Sequence, residues 1–316
     1  MGDTDSGTQP PSTAQYGDRQ QGSSWVPSFT GVAAAVVTPF HADGTLALEL
    51  VPDYVNHLHE RGAGALMVAG TTGEFITMSE DERGAVIETF ISANGGRIPL
   101  IAHVGDANPA VATRLAARAA ADGADALAAI LPYFHPTQPD SVRESLTRLA
   151  QSQPQLPFLP YCHPSTINHL GADQFARMRA DLPQVSGAKL SLGTFAEMKP
   201  YLSNDPEATF FCGNDDVLAE FVDAGGHAIV SGNAAVFCEI VSAALRALLD
   251  QQHATMDRLG PLIAEIVQLT RSGAPDRLKA LLRERGLDAG HARVVTSPDA
   301  LVPPPLSPAL RDALQP

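Results

Sequence analysis

The segment Val185-Ser186-Gly187-Ala188-Lys189-Leu190 is a short apolar run that carries a single lysine. Its composition is typical of a buried strand in a parallel sheet, in which helices cover both faces. Lys189 is one of only three lysines in the chain, against eighteen arginines. An ammonium group that leaves water needs either a partner or the loss of its proton. Lys189 is therefore either a strand-end lysine whose head reaches solvent, or a neutral amine able to attack carbonyl carbons.

Seven further apolar runs of similar length accompany this segment, and helical windows separate them. The predicted strands are Gly31–Thr38, Ala65–Ala69, Leu100–Val104, Ala126–Leu131, Phe158–Tyr161, Val185–Leu190, Thr209–Cys212 and Ala228–Ser231. Eight strand–helix units of this size favour a (β/α)8 TIM barrel over an open sheet. A doubly wound sheet is the alternative, but no GxGxxG motif follows the first strand.

The helical windows complete the domain organisation. Windows such as Leu48–Arg61, Glu80–Ala93, Pro109–Ala121, Asp140–Ala150 and Asp215–Asp223 lie between the strands, with Ser79 and Asp215 as plausible N-caps. We expect the barrel to occupy residues 29–250. Helical windows at Thr255–Thr270 and Pro275–Arg285 and a short helix at Pro308–Leu314 predict a C-terminal helical extension over residues 251–316. Residues 1–28, rich in Gly, Ser, Gln and Pro, predict a disordered or loosely attached tail.

Composition narrows the classes of function. The net charge of −14 and the lack of a basic run argue against a nucleic-acid-binding protein. No run of eighteen apolar residues occurs, so we expect no membrane span. The three cysteines, Cys162, Cys212 and Cys238, are far apart and form no CxxC pair, which indicates neither a zinc site nor a disulfide framework. Buried free thiols in the cytoplasm are the expectation.

Three strand ends carry candidate chemistry, because TIM barrels place their active sites at the carboxyl ends of the strands. The second strand runs into Gly70-Thr71-Thr72-Gly73-Glu74, whose backbone N–H groups and hydroxyls suit a carboxylate, although an ordinary turn is the alternative. Tyr161 ends the fifth strand, where its hydroxyl could relay a proton or simply make one core hydrogen bond. Lys189 lies on the sixth strand.

Together these motifs resemble the dihydrodipicolinate synthase/N-acetylneuraminate lyase family of class I aldolases. Gly-Thr-Thr-Gly-Glu after strand two, Tyr-x-x-Pro-Ser at strand five and Gly-x-Lys on strand six match the family pattern, and Tyr161 precedes Lys189 by the family interval of 28 positions. Similar stretches occur at strands one, seven and eight, namely Val37-Thr38-Pro39-Phe40, Cys212-Gly213-Asn214-Asp215 and Gly225–Gly232. The resemblance covers roughly residues 29–293.

The resemblance implies a lysine imine with pyruvate or a related 2-keto acid. In that chemistry Lys189 is the nucleophile, Thr71 and Thr72 hold the keto-acid carboxylate, and Tyr161 moves the proton. The protonated imine is the electron sink, so no metal or other cofactor is expected. The family also implies small-molecule keto-acid and aldehyde substrates and a homo-oligomer, either a dimer or a homotetramer.

Two departures from the synthase pattern bear on the second substrate. The synthases have an arginine for the carboxylate of that substrate where this chain has Thr166, which cannot make a bidentate charged pair. They lend a tyrosine across a subunit interface where this chain has Phe134, which has no hydroxyl. We expect the substrate pocket to involve these positions and several neighbouring ones: Gly70, Gly73, Tyr133, Phe134, His163, Thr166, Asn214 and Ser231, with His135 and His103 as further candidates at its rim.

Four interpretations of function stay open at this level. The first is a class I aldolase or lyase that uses an unidentified aldehyde acceptor. The second is 4-hydroxy-tetrahydrodipicolinate synthase or a 2-keto-acid sugar dehydratase of the same family. The third is a non-catalytic keto-acid-binding homologue. The fourth, a phosphate-binding barrel enzyme, is disfavoured because Gly225-Gly226 precedes strand eight rather than following it.

Overall fold

Eight parallel strands form a closed barrel in the computed structural model, which describes residues 25–271 and 273–315. The strands follow one another around the barrel in chain order, and β8 pairs with β1 to close it. They are β1 Gly31–Ala35, β2 Ala65–Val68, β3 Leu100–His103, β4 Ala126–Ile130, β5 Phe158–Cys162, β6 Gly187–Leu190, β7 Thr209–Cys212 and β8 Ala228–Ser231. The prediction of a (β/α)8 barrel is confirmed.

Helices follow every strand and continue beyond the eighth unit. The α-helices are α1 Val51–Glu60, α2 Glu80–Asn94, α3 Pro109–Asp122, α4 Pro139–Ser152, α5 Ala172–Asp181, α6 Phe195–Asn204, α7 Leu218–Asp223, α8 Ala234–Leu249, α9 His253–Thr270, α10 Pro275–Glu284 and α11 Pro308–Ala313. Helices α9, α10 and α11 form the C-terminal extension expected from the sequence, and α9 packs against α8 of the barrel. None of the described helices is both long and apolar enough to cross a membrane.

The N-cap predicted at Ser79 is present, but the one predicted at Asp215 is not. Ser79 accepts a hydrogen bond from Glu82 N, and the Glu82 side chain accepts one from Ser79 N, which completes a capping box at the start of α2. Asp215 instead opens a short 3-10 turn, and its buried carboxylate accepts hydrogen bonds from Ser231. Asp215 therefore belongs to the strand-end site rather than to helix capping.

Residues 25–28, which the sequence analysis assigned to the tail, contact the barrel. Trp25 Nε1 donates to Asp125 O at 3.0 Å, and the Trp25 ring meets the edge of Phe29, which stacks on Phe211 of β7. Val26 is fully buried. Residues 25–28 of the predicted tail thus pack on the barrel, because two aromatic rings and a valine bury apolar surface there. The rest of that predicted tail lies outside the described residues.

A close approach of two strands fixes the position of the lysine-bearing strand. A side chain at Gly187 would place its Cβ 1.8 Å from Thr209 O of β7, so only glycine allows β6 to pair there. The register that results sets Lys189 beside Tyr161 of β5 on one side and Phe211 of β7 on the other. In the Gly-x-Lys motif, the glycine thus allows the strand pairing that sets the position of the lysine amine.

Candidate active site

Lys189 is buried at the carboxyl end of the barrel and faces a cavity rather than bulk solvent. Only 6% of the residue is exposed. Its Nζ lies 4.2 Å from the centroid of the Tyr161 ring, whose negative face attracts a cation. The lysine head therefore does not extend into solvent, as the alternative interpretation of this residue required. It contacts the aromatic face of the tyrosine that the sequence paired with it.

The Gly-Thr-Thr-Gly-Glu loop enters the same region from β2 in a constrained conformation. The loop begins and ends with non-glycine residues of positive φ, Ala69 at 54° and Glu74 at 59°. Thr38 Oγ1 donates to Gly73 O at 2.8 Å and holds the loop against the end of the first strand. Thr71 Oγ1 lies 3.4 Å from Tyr161 Oη. This distance is slightly longer than the 2.6–3.2 Å typical of a proton-relay contact.

These groups share one cavity of about 300 Å³. Its walls are Thr71, Thr72, Tyr161, His163, Pro164, Lys189, Ser191, Gly213, Asn214, Asp215, Asp216, Val230, Gly232, Asn233, Val267, Gly273 and Pro275. Lys189 is the only lysine or arginine among these residues, whereas Asp215 and Asp216 bring acidic groups. The cavity volume suits a small molecule of a few carbon atoms beyond a 2-keto acid.

His163 is a neutral hydrogen-bonding group in this cavity. Burial, together with the nearby positive charge of Lys189, lowers the pKa of His163 to about 4. Nδ1 of His163 accepts a hydrogen bond from Ser165 N at 3.1 Å, so Nε2 carries the proton of the neutral ring. The imidazole therefore offers a donor without charge near pH 7. In the unliganded cavity, therefore, His163 does not supply a positive charge near pH 7.

Asp215 is the site residue whose chemical character sequence reasoning missed. Ser231 Oγ donates to both of its carboxylate oxygens, at 2.7 and 3.0 Å. Burial raises the pKa of Asp215 to about 6 despite that hydrogen bond, and the charge of Asp216 raises it further. The available signal was the pairing of β7 with β8, which brings the residues after Cys212 close to Ser231.

Behind the cavity, His103 connects three strands. Nδ1 of His103 lies 3.0 Å from Ala69 O, and Ile130 N donates to Nε2 at 3.1 Å. Nδ1 therefore carries the proton, and burial beside Arg83 holds the pKa of His103 well below its usual value. Arg83 itself is buried, donates to His103 O at 2.9 Å and pairs with Asp106 at 3.1 Å. His103 is thus a structural connection beneath the site rather than part of its rim.

The remaining predicted residues divide between the cavity and its surroundings. Asn214 lines the cavity, with Nδ2 donating to Leu192 O at 2.6 Å, while Ser231 lies behind Asp215. Gly70 and Gly73 belong to the Gly-Thr-Thr-Gly-Glu loop, and Tyr133 packs against the edge of Phe75, but none of the three is among the residues that line the cavity. Thr166 is buried, and its hydroxyl donates to His163 O and Asn168 O. Phe134 and His135 are exposed and contact each other.

Comparison with known proteins assigns the chain to a family. The model of the dihydrodipicolinate synthetase family matches residues 28–299. The chain belongs to this family. Its members are enzymes of the lyase type that carry out aldolase chemistry, and the family predicted from the motifs is confirmed. A 4-hydroxy-tetrahydrodipicolinate synthase from Exiguobacterium sp. is 30% identical over 275 residues, which is 85% of this chain and 92% of the relative.

Other relatives extend the comparison across both branches of the family. A 4-hydroxy-tetrahydrodipicolinate synthase from Haloarcula marismortui is 31% identical over 272 residues, 84% of this chain and 87% of the relative. The crystal structure of N-acetylneuraminate lyase from Mycoplasma synoviae superposes with a TM-score of 0.77 at 26% identity, and covers 85% of this chain and 92% of that one. The chain is therefore similar to synthases and to a sugar-acid lyase.

Proposed function

We propose that this protein is a class I aldolase or lyase that forms an imine between Lys189 Nζ and the keto carbon of pyruvate or a related 2-keto acid. The observation that carries the proposal is the buried Lys189 amine, 4.2 Å from the Tyr161 ring centroid, in one cavity with Thr71 and Thr72. A lysine removed from water and from other cations is chemically suited to act as a nucleophile.

The chain's own groups divide the steps of this reaction. Thr71 and Thr72 bind the carboxylate of the keto acid, and Lys189 adds to its keto carbon. The carbinolamine oxygen takes a proton from Tyr161 and leaves as water, which gives the protonated imine. Loss of a proton from the neighbouring carbon gives an enamine that attacks the aldehyde carbon of the acceptor. The new alkoxide takes a proton, and hydrolysis of the imine frees Lys189.

The acceptor that we propose is an aldehyde without a carboxylate at the far wall of the cavity. None of the described residues that line the cavity is an arginine, and Thr166, at the position of the synthase arginine, uses its hydroxyl on the backbone of its own loop. The far wall instead offers Asn214, Asp216 and the neutral His163. All three groups hydrogen-bond hydroxyls well, and the Asp216 carboxylate disfavours a second carboxylate.

The second candidate is the reaction named for the curated relatives, 4-hydroxy-tetrahydrodipicolinate synthesis. Identities of 30–31% over most of the chain favour it, whereas Thr166 and the exposed Phe134 oppose it. We expect poor turnover with pyruvate and aspartate semialdehyde. Turnover of at least about 1 per second with a sub-millimolar KM, which is ordinary for enzymes, would establish the synthase instead. A 2-keto-acid sugar dehydratase is distinguished by water release without C–C bond formation.

Location and assembly are part of the proposal. The three cysteines are buried and free, which fits a reducing cytoplasm. A homo-oligomer, dimer or tetramer, is supported by the exposed aromatic residue Phe134 at the position where the synthases contact a neighbouring subunit.

The imine itself is the test of the proposed function. Incubation with pyruvate and borohydride, followed by digestion and mass analysis, should place the reduced adduct on Lys189. Lys189→Arg should abolish the adduct, because a guanidinium stays protonated and cannot attack. Lys199→Arg, at an exposed lysine, is the matched control and should leave the adduct intact. Labelling at Lys199 or Lys279, or no adduct with any of a panel of 2-keto acids, overturns the proposal.

A further inference from the structure

A buried ion pair joins the carboxylate-binding loop to the C-terminal extension. Glu74 is the last residue of the Gly-Thr-Thr-Gly-Glu loop, and Lys279 lies on α10. Lys279 Nζ donates to Glu74 Oε1 at 2.6 Å, and both side chains are 2% exposed. Removing two charges from water costs several kcal/mol per ion. Apolar side chains of similar volume would therefore make the folded protein at least as stable as this ion pair does. The pair therefore calls for an explanation beyond stability.

Within residues 25–271 and 273–315, the groups that donate to the Glu74 carboxylate all lie in the C-terminal part of the chain. Besides Lys279, Arg293 N and Val294 N donate to Glu74 Oε2, at 2.9 and 3.0 Å. The backbone of Glu74 has a φ of 59°, a conformation that costs a non-glycine residue free energy unless its surroundings hold it. The three donors supply that support at the point where the threonine loop ends.

Further contacts bind the same C-terminal segment to the neighbouring loops. Lys279 Nζ also donates to His291 O at 2.7 Å. Arg293 donates to Gly44 O and Thr77 O at 2.7 and 2.8 Å, and its guanidinium pairs with Glu82 of α2. The extension also contributes Gly273 and Pro275 to the cavity wall. Lys279 thus stands at the junction between the extension and the loop that carries Thr71 and Thr72.

We propose that Lys279 and Glu74 are positioning residues, through which the C-terminal extension holds Thr71 and Thr72 in place for the carboxylate of the 2-keto acid. This inference rests on the proposed function and deepens it. Binding groups must be held within about half an ångström of the productive geometry, and supporting contacts of this kind provide that precision. Loss of the pair should therefore weaken keto-acid binding more than it slows the reaction of the bound molecule.

The pair also predicts a pH signature. Burial lowers the pKa of Lys279 to about 8, although the charge and hydrogen bond of Glu74 oppose the shift. The other charged groups that act on the ammonium are Arg293, which lowers the pKa, and Asp276, which raises it. Above about pH 8 the ammonium loses its proton and the ion pair weakens. A variant without Lys279 should therefore bind the keto acid more weakly than the wild type below pH 8, and about as tightly as the wild type above it.

The experiment compares Lys279→Met with Arg277→Met, a matched control. Arg277 is a buried cation on the same helix, but its guanidinium donates to Val302 O and Asp299 O rather than to the loop. The full-length proteins are equilibrated with increasing pyruvate, given a short borohydride pulse and analysed by intact mass. We expect the half-saturating pyruvate concentration to rise about tenfold in Lys279→Met at pH 7, equal to one decade in affinity. Arg277→Met should stay within about threefold.

Several outcomes separate this inference from the proposed function. No adduct in the wild type overturns both. Two results would overturn the inference but leave the proposed function standing, provided that the wild type forms the adduct. One is an unchanged half-saturating pyruvate concentration in Lys279→Met, and the other is an equal rise in Arg277→Met. The half-saturating pyruvate concentration of Lys279→Met, divided by that of the wild type, should fall toward one between pH 7 and pH 9. A ratio that does not change with pH contradicts a role for the Glu74–Lys279 ion pair. If Lys279→Met does not fold, Glu74→Gln, which removes the charge and keeps only one of the two acceptor oxygens, should show a rise in the same direction.

Discussion

At the scale of single residues, the ring and the hydroxyl of Tyr161 contact different partners, so a substitution can remove one contact and keep the other. The ring faces Lys189 Nζ, whereas the hydroxyl lies 3.4 Å from Thr71 Oγ1. Tyr161→Phe keeps the aromatic face and removes only the hydroxyl. We expect turnover to fall about 10²–10⁴-fold while the chain stays folded, because imine formation and C–C bond chemistry need the same proton. Steady-state turnover and the rate of adduct formation measure this effect.

Tyr201→Phe is the control for Tyr161→Phe. Tyr201 is also buried, but its hydroxyl donates to Leu170 O, away from Lys189. Its loss should affect stability and leave turnover within about threefold of wild type. Near-normal turnover in Tyr161→Phe would show that water or another group, with Tyr133 and His163 the next to test, moves the proton.

Asp215 combines a stability cost with a place in the cavity. Its folded-state pKa of about 6 lies above the ordinary value of 3.8, so the folded protein binds the proton more tightly than the unfolded chain. Stability therefore falls as pH rises from about 4 to about 6, and the whole cost is present above pH 6. Asp215→Asn, which still accepts from Ser231, should gain about 2–3 kcal/mol over wild type at pH 8.

Denaturant unfolding at pH 8 and at pH 4 checks the prediction for Asp215. The gain of Asp215→Asn should be largest at pH 8 and small near pH 4, where the carboxyl is protonated in the folded protein and partly protonated in the unfolded chain. Asp257→Asn, at an exposed carboxylate on α9 outside the cavity, is the control and should leave the pH dependence of unfolding unchanged. A gain that is independent of pH would mean that packing rather than charge is responsible.

At the scale of elements, His103 of β3 ties the ends of β2 and β4 together beneath the site. Its ring contacts Ala69 O, where Ala69 is the positive-φ residue just before the Gly-Thr-Thr-Gly-Glu loop, and it accepts a hydrogen bond from Ile130 N. His103→Leu fills similar space but leaves both backbone groups without this partner. At about 1–3 kcal/mol for each buried unsatisfied group, the free energy of unfolding should fall by about 2–4 kcal/mol.

Urea or guanidinium unfolding measures the effect of His103→Leu. His227→Leu, at a half-exposed histidine just before β8, is the comparison and should change the unfolding free energy by less than about 1 kcal/mol. A His103→Leu protein as stable as the wild type would show that other groups or water satisfy Ala69 O and Ile130 N.

The elements also show how far sequence reasoning reaches. Short apolar runs predicted all eight strands, and β7 and β8 begin and end where predicted, because glycines and polar residues bound them. The first strand was predicted to continue to Thr38, but the ladder ends at Ala35. Residues 36–38 stay buried there, with Val37 N donating to Tyr54 Oη and Thr38 Oγ1 to Gly73 O. Apolar composition reports burial and cannot show where a buried chain leaves the sheet.

The site residues also divide into those that the sequence could predict and those that it could not. Lys189, Tyr161, Thr71 and Thr72 were predictable because they lie near or just after the carboxyl ends of strands and match the family motifs, and the structure brings them to one cavity. Their catalytic roles stay predictions. The buried acid Asp215 and the Glu74–Lys279 pair depend on partners distant in sequence, the latter separated by 205 positions. No local pattern in a single sequence encodes such partners.

At the scale of the whole molecule, we expect the proposed second subunit to bind at the exposed apolar side chains on the loops that follow β4 and β5. Phe134 is 73% exposed and Ile167 is 49% exposed, on the loops that follow β4 and β5. Asn168 joins these loops: it accepts from Thr137 N at 2.7 Å and donates to Pro132 O and His135 O at 2.6 and 2.8 Å. A rigid platform that presents a large aromatic side chain is typical of an interface hot spot.

Phe134→Glu tests the proposed assembly. A carboxylate at the centre of an interface must be desolvated, so the change should weaken association by 2 kcal/mol or more, about thirtyfold in the dissociation constant. Val302→Glu is the control, because Val302 is 76% exposed but lies on the C-terminal segment away from these loops. In sedimentation velocity at micromolar concentration, we expect the wild type and Val302→Glu to be oligomeric and Phe134→Glu to shift toward monomer. Identical mass distributions for all three proteins would exclude Phe134 from the interface.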